Sequence, residues 1–452
     1  MINTLYLPEL REMLSEGNEQ ELREFCTALN PARTAEFMEG LSASEAWRVL
    51  QFADPSVREQ IFNFFEEEKQ REILETQDRS QVASLVADMA PDDRVDLLQE
   101  VDEHIVEELL PLIPFEERRD ILRLRAYPEG TAGAVMTTEV AKFSENLTVK
   151  ETLDVLSREA EELETIYYLY VVDDSDHLRG VVSTRQLVTA LPRPDLRLSE
   201  LVETDVVAVN AMDDQEEVAQ TVARYDLLAI PVVDKERVML GIITHDDVID
   251  VMREEATEDA HRIAAVEPLD DDYLKTPLLT LSRKRGMWLM ILFFAALLTA
   301  IALDQYEATL KRVTWLVLFI PLVISSGGNS GSQSATLIIT ALAMGHITLK
   351  DWSRVVIREL LMGLVLGGFL SIIGYACAVI LADTAYQALV IPITLMLVVI
   401  CGTLCGSVLP LLFQRLGLDP ALMSNPFVAG IIDIAGILIY MTVALAMIPM
   451  EG

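Results

Sequence analysis

Basic residues are scarce in this chain: 35 Lys and Arg stand against 71 Asp and Glu, for a formal net charge of −36 over 452 residues. A surface that negative disfavours nucleic acid and anionic lipid, and favours divalent cations, which it needs in order to pack against itself. Cysteine is nearly missing as well. Its four copies, Cys26, Cys377, Cys401 and Cys405, suit a reduced compartment. Cys401 and Cys405 share a helix face and could bind a soft metal, but with no histidine nearby small packing residues are the commoner reading. Charge of either sign is lacking after Arg285, where eight acidic and six basic residues remain, against 63 acidic and 29 basic before it. An acidic, water-soluble half is therefore joined to an apolar half. The opening, Met1-Ile-Asn-Thr-Leu, lacks the basic flank and apolar run of a secretory signal, so the acidic half is expected to stay in the cytoplasm.

Apolar stretches able to cross ~30 Å of hydrocarbon lie at 287–303, 313–343, 355–382, 386–413 and 422–449, which predicts five spans. Arg283, Lys284 and Arg285 precede the first span. Lys350, Arg354 and Arg358 separate the second from the third, and Arg415 the fourth from the fifth; only Lys311 and Arg312 fall on the other side. This bias puts the N-terminus in the cytoplasm and, with an odd number of spans, the C-terminus outside.

Within the last apolar stretch stands a lone carboxylate, Asp433, with no charged residue between Asp419 and Glu451. Insertion of such a group costs roughly 2.5–3.5 kcal/mol, which makes it a candidate for an ion pathway. The competing reading is an aspartate hydrogen-bonded to a neighbouring helix, but the segment offers no basic partner. The second stretch is interrupted by Pro321 and by Gly327-Gly328-Asn329-Ser-Gly331-Ser-Gln333. Polar, interrupted helix at membrane depth is tolerated where it faces protein or a water-filled cavity. An intramembrane enzyme would need a nucleophile with a base or paired aspartates, and this reading finds only Asp433 in the spans.

The soluble half divides again. Up to about residue 128 a helical period is broken at Pro91, Pro111 and Pro114, as in stacked helix hairpins forming a small superhelix. A second repeat follows: Tyr170-Val-Val-Asp to Gly180-Val-Val-Ser183 returns as Pro231-Val-Val-Asp to Gly241-Ile-Ile-Thr244. Each copy pairs two short β-branched strands through a turn and then starts a helix capped by Ser183 or Thr244. The tandem resembles a pair of cystathionine-β-synthase-type (CBS) domains, regulatory modules that often bind adenine nucleotides. In nucleotide-binding copies a Ser or Thr followed three residues later by Asp holds a ribose. Thr244 and Asp247 keep that pattern, whereas Ser183, with Arg185 beside it, is followed by Gln186, which lacks the charge that strengthens such a bond. ATP is thus a possible ligand, weakened by this departure.

Beyond the second copy a helical stretch carries Asp247, Asp250, Glu254, Glu255, Glu258 and Asp259 at three- and four-residue spacing, where like charges repel. A solvated acidic face is the ordinary reading. Here Asp92 and Asp96 of the helical domain, and Asp213, Asp214, Glu216 and Asp226 of the second repeat, add further carboxylates. Divalent ions held between domains by oxygen ligands would relieve the repulsion.

Taken together, the whole chain resembles the MgtE-type magnesium channels. The order matches from end to end, through the junction Tyr127-Pro-Glu-Gly-Thr131-Ala-Gly133, the Gly-Gly-Asn-Ser-Gly-Ser-Gln run, the Gly417-Leu-Asp419-Pro-Ala loop and the Asn425-Pro-Phe and Asp433 segment; Ala134 replaces the arginine usual in the junction. The resemblance implies an all-α cytosolic N-domain (1–129), α/β tandem CBS domains (130–194 and 195–252), an acidic connecting helix and linker (253–285) and an all-α transmembrane domain of five helices (286–452). It further implies a multi-pass protein of the cell membrane, embedded in the lipid bilayer. It would be a homodimer with its pore on the two-fold axis, Asp433 as the charged element, and Asn329, Asn425, Gly328 and the Ala429 backbone along the path. Mg2+ would be both cargo and regulator, the latter bound by Asp92, Asp96, Asp214, Glu216, Asp226, Asp247, Asp250, Glu255, Glu258, Asp259 and Asp419. A divalent-cation exchanger, or a membrane-anchored sensor without transport, remain the alternatives.

Overall fold

A computed structural model describes residues 6–160, 163–269 and 273–448. The chain forms two compact units, residues 1–251 and 252–452.

The first unit opens with short α-helices running from Leu7 to Leu124. Their brevity is written in the sequence. Proline occupies a first-turn position at Pro31, Pro55 and Pro91, where its missing N–H is harmless. Asn18, Asn30 and Asp78 cap helix starts with side-chain oxygens, and Ser42 forms a reciprocal capping box with Glu45. Successive helices pack on the second one after them: Pro31–Met38 on Pro55–Asn63, Ala43–Leu50 on Glu67–Thr76, Arg79–Asp88 on Glu103–Leu109. That stepping builds the expected superhelix around Leu10, Leu22, Met38, Leu50, Phe62, Leu74 and Leu85, all essentially without solvent contact.

Two three-stranded sheets follow. Strand β1 (Val140–Ser144) runs parallel to β2 (Thr165–Val172), which is antiparallel to β3 (Leu178–Ser183). In the second copy β4 (Val209–Asn210), β5 (Ala229–Val233) and β6 (Met239–Thr244) repeat the arrangement. The repeat reaches the backbone of the hairpin turns. Asp173 and Asp234 each accept two main-chain N–H bonds, and Asp176 and Arg237 both adopt left-handed φ of 61° and 65°. The helical domain buries Val95 and Leu124 against the core of the second copy, beside Val218, Ile230, Ile243, Val248 and Val251. At that junction Gly133 admits no side chain, since a Cβ would stand 2.5 Å from the Tyr127 ring and 2.9 Å from the Ala211 carbonyl. A single 19-residue helix, His245–Ile263, carries the acidic run.

The second unit contains five long helices: Leu278–Asp304, Trp315–Ala343, Trp352–Leu381, Val390–Arg415 and Asn425–Met447. Four of them are long and apolar enough to cross a membrane. Trp315–Ala343, the interrupted second stretch of the sequence, has the length, at 29 residues, and carries the glycine, serine and amide run in its middle. Val390–Arg415 packs against Trp315–Ala343 and Trp352–Leu381, and Asn425–Met447 closes on Trp315–Ala343. The backbones of Trp315–Ala343 and Val390–Arg415 approach closely along a glycine seam: a Cβ on Gly402 would lie 2.6 Å from the Gly327 carbonyl. Leu278–Asp304 touches Asn425–Met447 but leaves Leu289, Phe293, Phe294 and Leu298 exposed.

Candidate functional site

Asp433 lies mid-way along Asn425–Met447, half-buried, with no hydrogen bond or ion pair to any described residue. It faces Trp315–Ala343, hereafter the seam helix, at its barest point. An Oδ of Asp433 stands 3.5 Å from where a Gly328 Cβ would be, and Ala429 flanks the same spot at 3.5 Å. Gly328, Ala429 and Asp433 are thus brought together as the sequence suggests. Asn329 is exposed on the seam helix, its amide donating to Ser325 Oγ at 3.2 Å.

Asn425 is engaged rather than open. Its side-chain amide exchanges hydrogen bonds with Thr336 at 3.0 and 3.1 Å, and its carbonyl accepts from Ser332 Oγ at 3.1 Å. It pins the start of the last helix to the seam helix, work that Ser424 does not do, because the Ser424 side chain makes no capping bond. The sequence reading passed over a second carboxylate among the spans. Glu359 on Trp352–Leu381 accepts 2.6 Å from Ser334 Oγ of the seam helix, and its main-chain carbonyl accepts 3.0 Å from Thr403 Oγ1 of Val390–Arg415. Glu359 therefore fastens three helices one turn below the Gly-Gly-Asn run.

In the first unit a carboxylate cluster forms where the helical domain meets the second CBS copy. Asp92 is 7% exposed, with one carboxylate oxygen lacking any partner. Burial first, then the Asp247 charge, holds its carboxyl well above the ordinary range. Loss of surrounding water and the Asp247 and Asp246 carboxylates push Asp93 up to about 6. The same causes, desolvation foremost, push Glu164 to about 7, and Glu59 reaches about 7 through burial and then Asp93. The Asn63 amide donates 2.7 Å bonds to both Glu59 and Asp93. Asp93, Glu59 and Glu164 were missed in the sequence because they lie far apart along it; the adjacent pair Asp92-Asp93 was the one local sign.

A second cluster forms within the other unit. Arg262 pairs with Glu258 one turn before it and with Asp419 of the loop ahead of the last helix. Asp259 next to them is pushed up to about 6, by burial first and then by Asp419, with Arg262 opposing. Asp419 also caps its own turn, accepting 2.7 Å from Ala421 N–H. A guanidinium thus joins the carboxylates that the sequence reading assigned to an ion.

Other predicted ligands are dispersed. Asp214 caps the start and Asp226 the end of the 11-residue helix Gln215–Tyr225, roughly 18 Å apart at 1.5 Å per residue, so one chain cannot bring both to one ion. Glu216 lies in the first turn of that helix, Asp96 is exposed on Pro91–Gln99, and Asp250 and Glu255 sit on the connecting helix. Among the described residues no three His, Cys, Asp or Glu side chains converge to hold an ion. Magnesium usually keeps several of its waters, so pairs of carboxylates are a sufficient first contact.

The ribose-type positions are closed on themselves. Ser183 and Gln186 form a capping box, and the Gln186 amide donates 2.7 Å to Glu203. Thr244 Oγ1 donates 2.6 Å to Asp247, and Arg185 is exposed.

Residues 29–130 match the family of MgtE intracellular N domains, residues 132–193 and 198–254 match CBS domains, and residues 320–443 match the family described as divalent cation transporter. The chain is 38% identical over 444 residues to the magnesium transporter MgtE of Thermus thermophilus, covering 96% of this chain and 97% of that protein. Its identity to the magnesium transporter MgtE of Bacillus subtilis is 32% over 436 residues, 96% of each. Among solved structures, the soluble part of a magnesium transporter aligns with a TM-score of 0.52 at 37% identity, covering 55% of this chain and 97% of that one. The cytosolic domain of the Mg2+ channel MgtE in complex with ATP aligns at 0.50 and 36%, covering 54% and 98%.

Proposed function

Since the chain belongs to the MgtE family, whose members are magnesium transporters and not enzymes, we propose that it is a Mg2+-selective channel of the cell membrane, closed from the cytoplasmic side by Mg2+ itself. The observation that carries the reading is Asp433: a carboxylate at membrane depth, unpartnered, beside a glycine backbone and on a half-open face. In a homodimer two such carboxylates and two Asn329 side chains would meet at the two-fold axis and hold a hydrated ion. Magnesium suits that arrangement better than calcium because it dehydrates reluctantly. Two charges moving inward gain roughly 4.6 kcal/mol per 100 mV, so no ATP hydrolysis is required.

An influx driven by voltage needs a shut-off. The Asp92–Asp247 cluster and the Glu258–Asp259–Asp419 cluster supply it: Mg2+ relieves their mutual repulsion, and its loss separates the parts they belong to. Asp96, Asp214, Glu216, Asp226, Asp250 and Glu255 extend this set as weak sites that act through number. The reading keeps the N-terminus cytoplasmic, the C-terminus outside, and the domain bounds given by the sequence. ATP, held by one structural relative, belongs to this chain only if it displaces the Ser183–Gln186 and Thr244–Asp247 bonds.

The test is cation current through the purified protein in a bilayer, wild type against Asp433→Ala, as cytoplasmic-side Mg2+ rises from micromolar to millimolar. The expected result is a Mg2+ current that the substitution abolishes and millimolar Mg2+ closes. Coupled uptake without single-channel current would replace the channel by an exchanger, and absence of any flux from folded dimer would leave a sensor.

A further inference from the structure

Val390–Arg415 carries two thiols that no part of the ion pathway uses. Cys401 and Cys405 lie one turn apart, both half-buried, with their Sγ atoms 4.0 Å from each other, and each thiol's hydrogen-bond partner among the described residues is the other. The surroundings are soft and apolar: Cys405 packs with Ala335, Ile339, Met423 and Ile432. The hydroxyls nearest to them along this helix are occupied elsewhere, Thr403 on the Glu359 carbonyl and Ser407 on its own backbone. A hard cation such as Mg2+ finds no oxygen ligand in that set, whereas thiolates select soft ions.

We propose that Cys401 and Cys405 form a two-thiol site for a thiophilic d10 cation, distinct from the Mg2+ path. With metal–sulfur bonds of about 2.3 Å, as for zinc thiolates, the 4.0 Å separation corresponds to an S–metal–S angle of about 120°, so the helix already holds the pair near trigonal geometry. Binding replaces two S–H protons: two thiols and M2+ give one bis-thiolate complex and two H+. No electrons move. The site also has leverage on the pore, since Gly402 and Gly406, the residues directly after each cysteine, are the ones whose Cα atoms abut the seam helix at Gly327 and Gly331. A metal bridging the two thiols would fix the turn of helix that makes this contact and slow transport.

The test uses the full-length protein in detergent with two probes. Cd2+ is titrated while the sulfur-to-cadmium charge-transfer band and proton release are followed, and phenylarsine oxide, which joins two thiols with loss of one water, is scored by intact mass. Wild type is expected to bind one Cd2+ per chain with two protons released, and to gain one arsenic adduct. Cys401→Ser and Cys405→Ser each lose both signals, while Cys377→Ser keeps them. In vesicles, submicromolar Cd2+ should lower Mg2+ uptake of wild type at least fivefold and leave Cys401→Ser unaffected. A band that survives in Cys401→Ser, or wild-type protein that takes up neither probe, overturns the site. Because the spectral and mass readouts do not depend on transport, failure of the channel reading would leave them unchanged.

Discussion

At Arg262 a guanidinium occupies the position between Glu258 and Asp419 that an ion would need, and Asp259 beside them is half-neutral near pH 6. Removing it by Arg262→Gln leaves three carboxylates without their counter-charge. Mg2+ no longer has to compete, and half-closure of transport is expected at several-fold lower Mg2+; an unchanged or higher concentration would mean that Asp419 binds no regulatory ion. Gln186 offers a second single-residue test. Changing it to Asp restores the carboxylate of the ribose pattern but sets it against Glu203, which now receives the Gln186 amide. Calorimetry should find tighter ATP binding in Gln186→Asp than in wild type, together with a lower melting temperature. Asp433 could be picked out in sequence because one charge in an apolar stretch is a local signal. Glu359 could not, since Arg358 beside it made it look like part of a charged flank, and only folding sets it against Ser334.

Among elements, the boundaries were the most legible feature. Prolines and side-chain caps start most of the short helices locally, and the two hairpins repeat down to paired aspartates and left-handed turn residues. What sequence did not disclose is which helix lies on which. The glycine seam between Trp315–Ala343 and Val390–Arg415 depends on backbones in contact. Gly402→Val therefore meets the Gly327 carbonyl, an atom that cannot swing away, and overpacking of this kind costs about 1–3 kcal/mol. A melting temperature lower by several degrees and reduced transport are expected. Gly328→Ala is the contrast: its Cβ would sit at ordinary contact distance, 3.5 Å, from Ala429 and Asp433, so the protein should melt as wild type does while ion passage changes.

For the molecule as a whole, the acidic excess makes stability depend on what neutralises it. The carboxyls of Asp92, Asp93, Glu59 and Glu164 are all raised in the fold, the last two to about 7. The folded state therefore binds more protons than the unfolded chain between pH ~4 and 7, and stability falls as pH rises through that window. Carboxyls lowered by hydrogen bonds, such as Asp173 at about 2, act below it and do not offset the trend. Thermal unfolding in chelator should show a lower melting temperature at pH 8 than at pH 5, with millimolar Mg2+ restoring stability at pH 8 far more than at pH 5. A melting temperature indifferent to pH would remove the cluster as a regulatory element. The helix Trp315–Ala343 carries one last consequence, for biogenesis. A segment with Asn329, Gln333 and five serines along its length is a poor candidate to leave the translocation machinery alone, since lipid satisfies none of those groups. Its Ser332, Ser334 and Thr336 hydroxyls and its glycines find their partners on Trp352–Leu381, Val390–Arg415 and Asn425–Met447, all synthesised later. Entry of this helix into the bilayer must then wait for, or be held open until, the helices that follow it, so that the membrane half matures by joint assembly and not one span at a time.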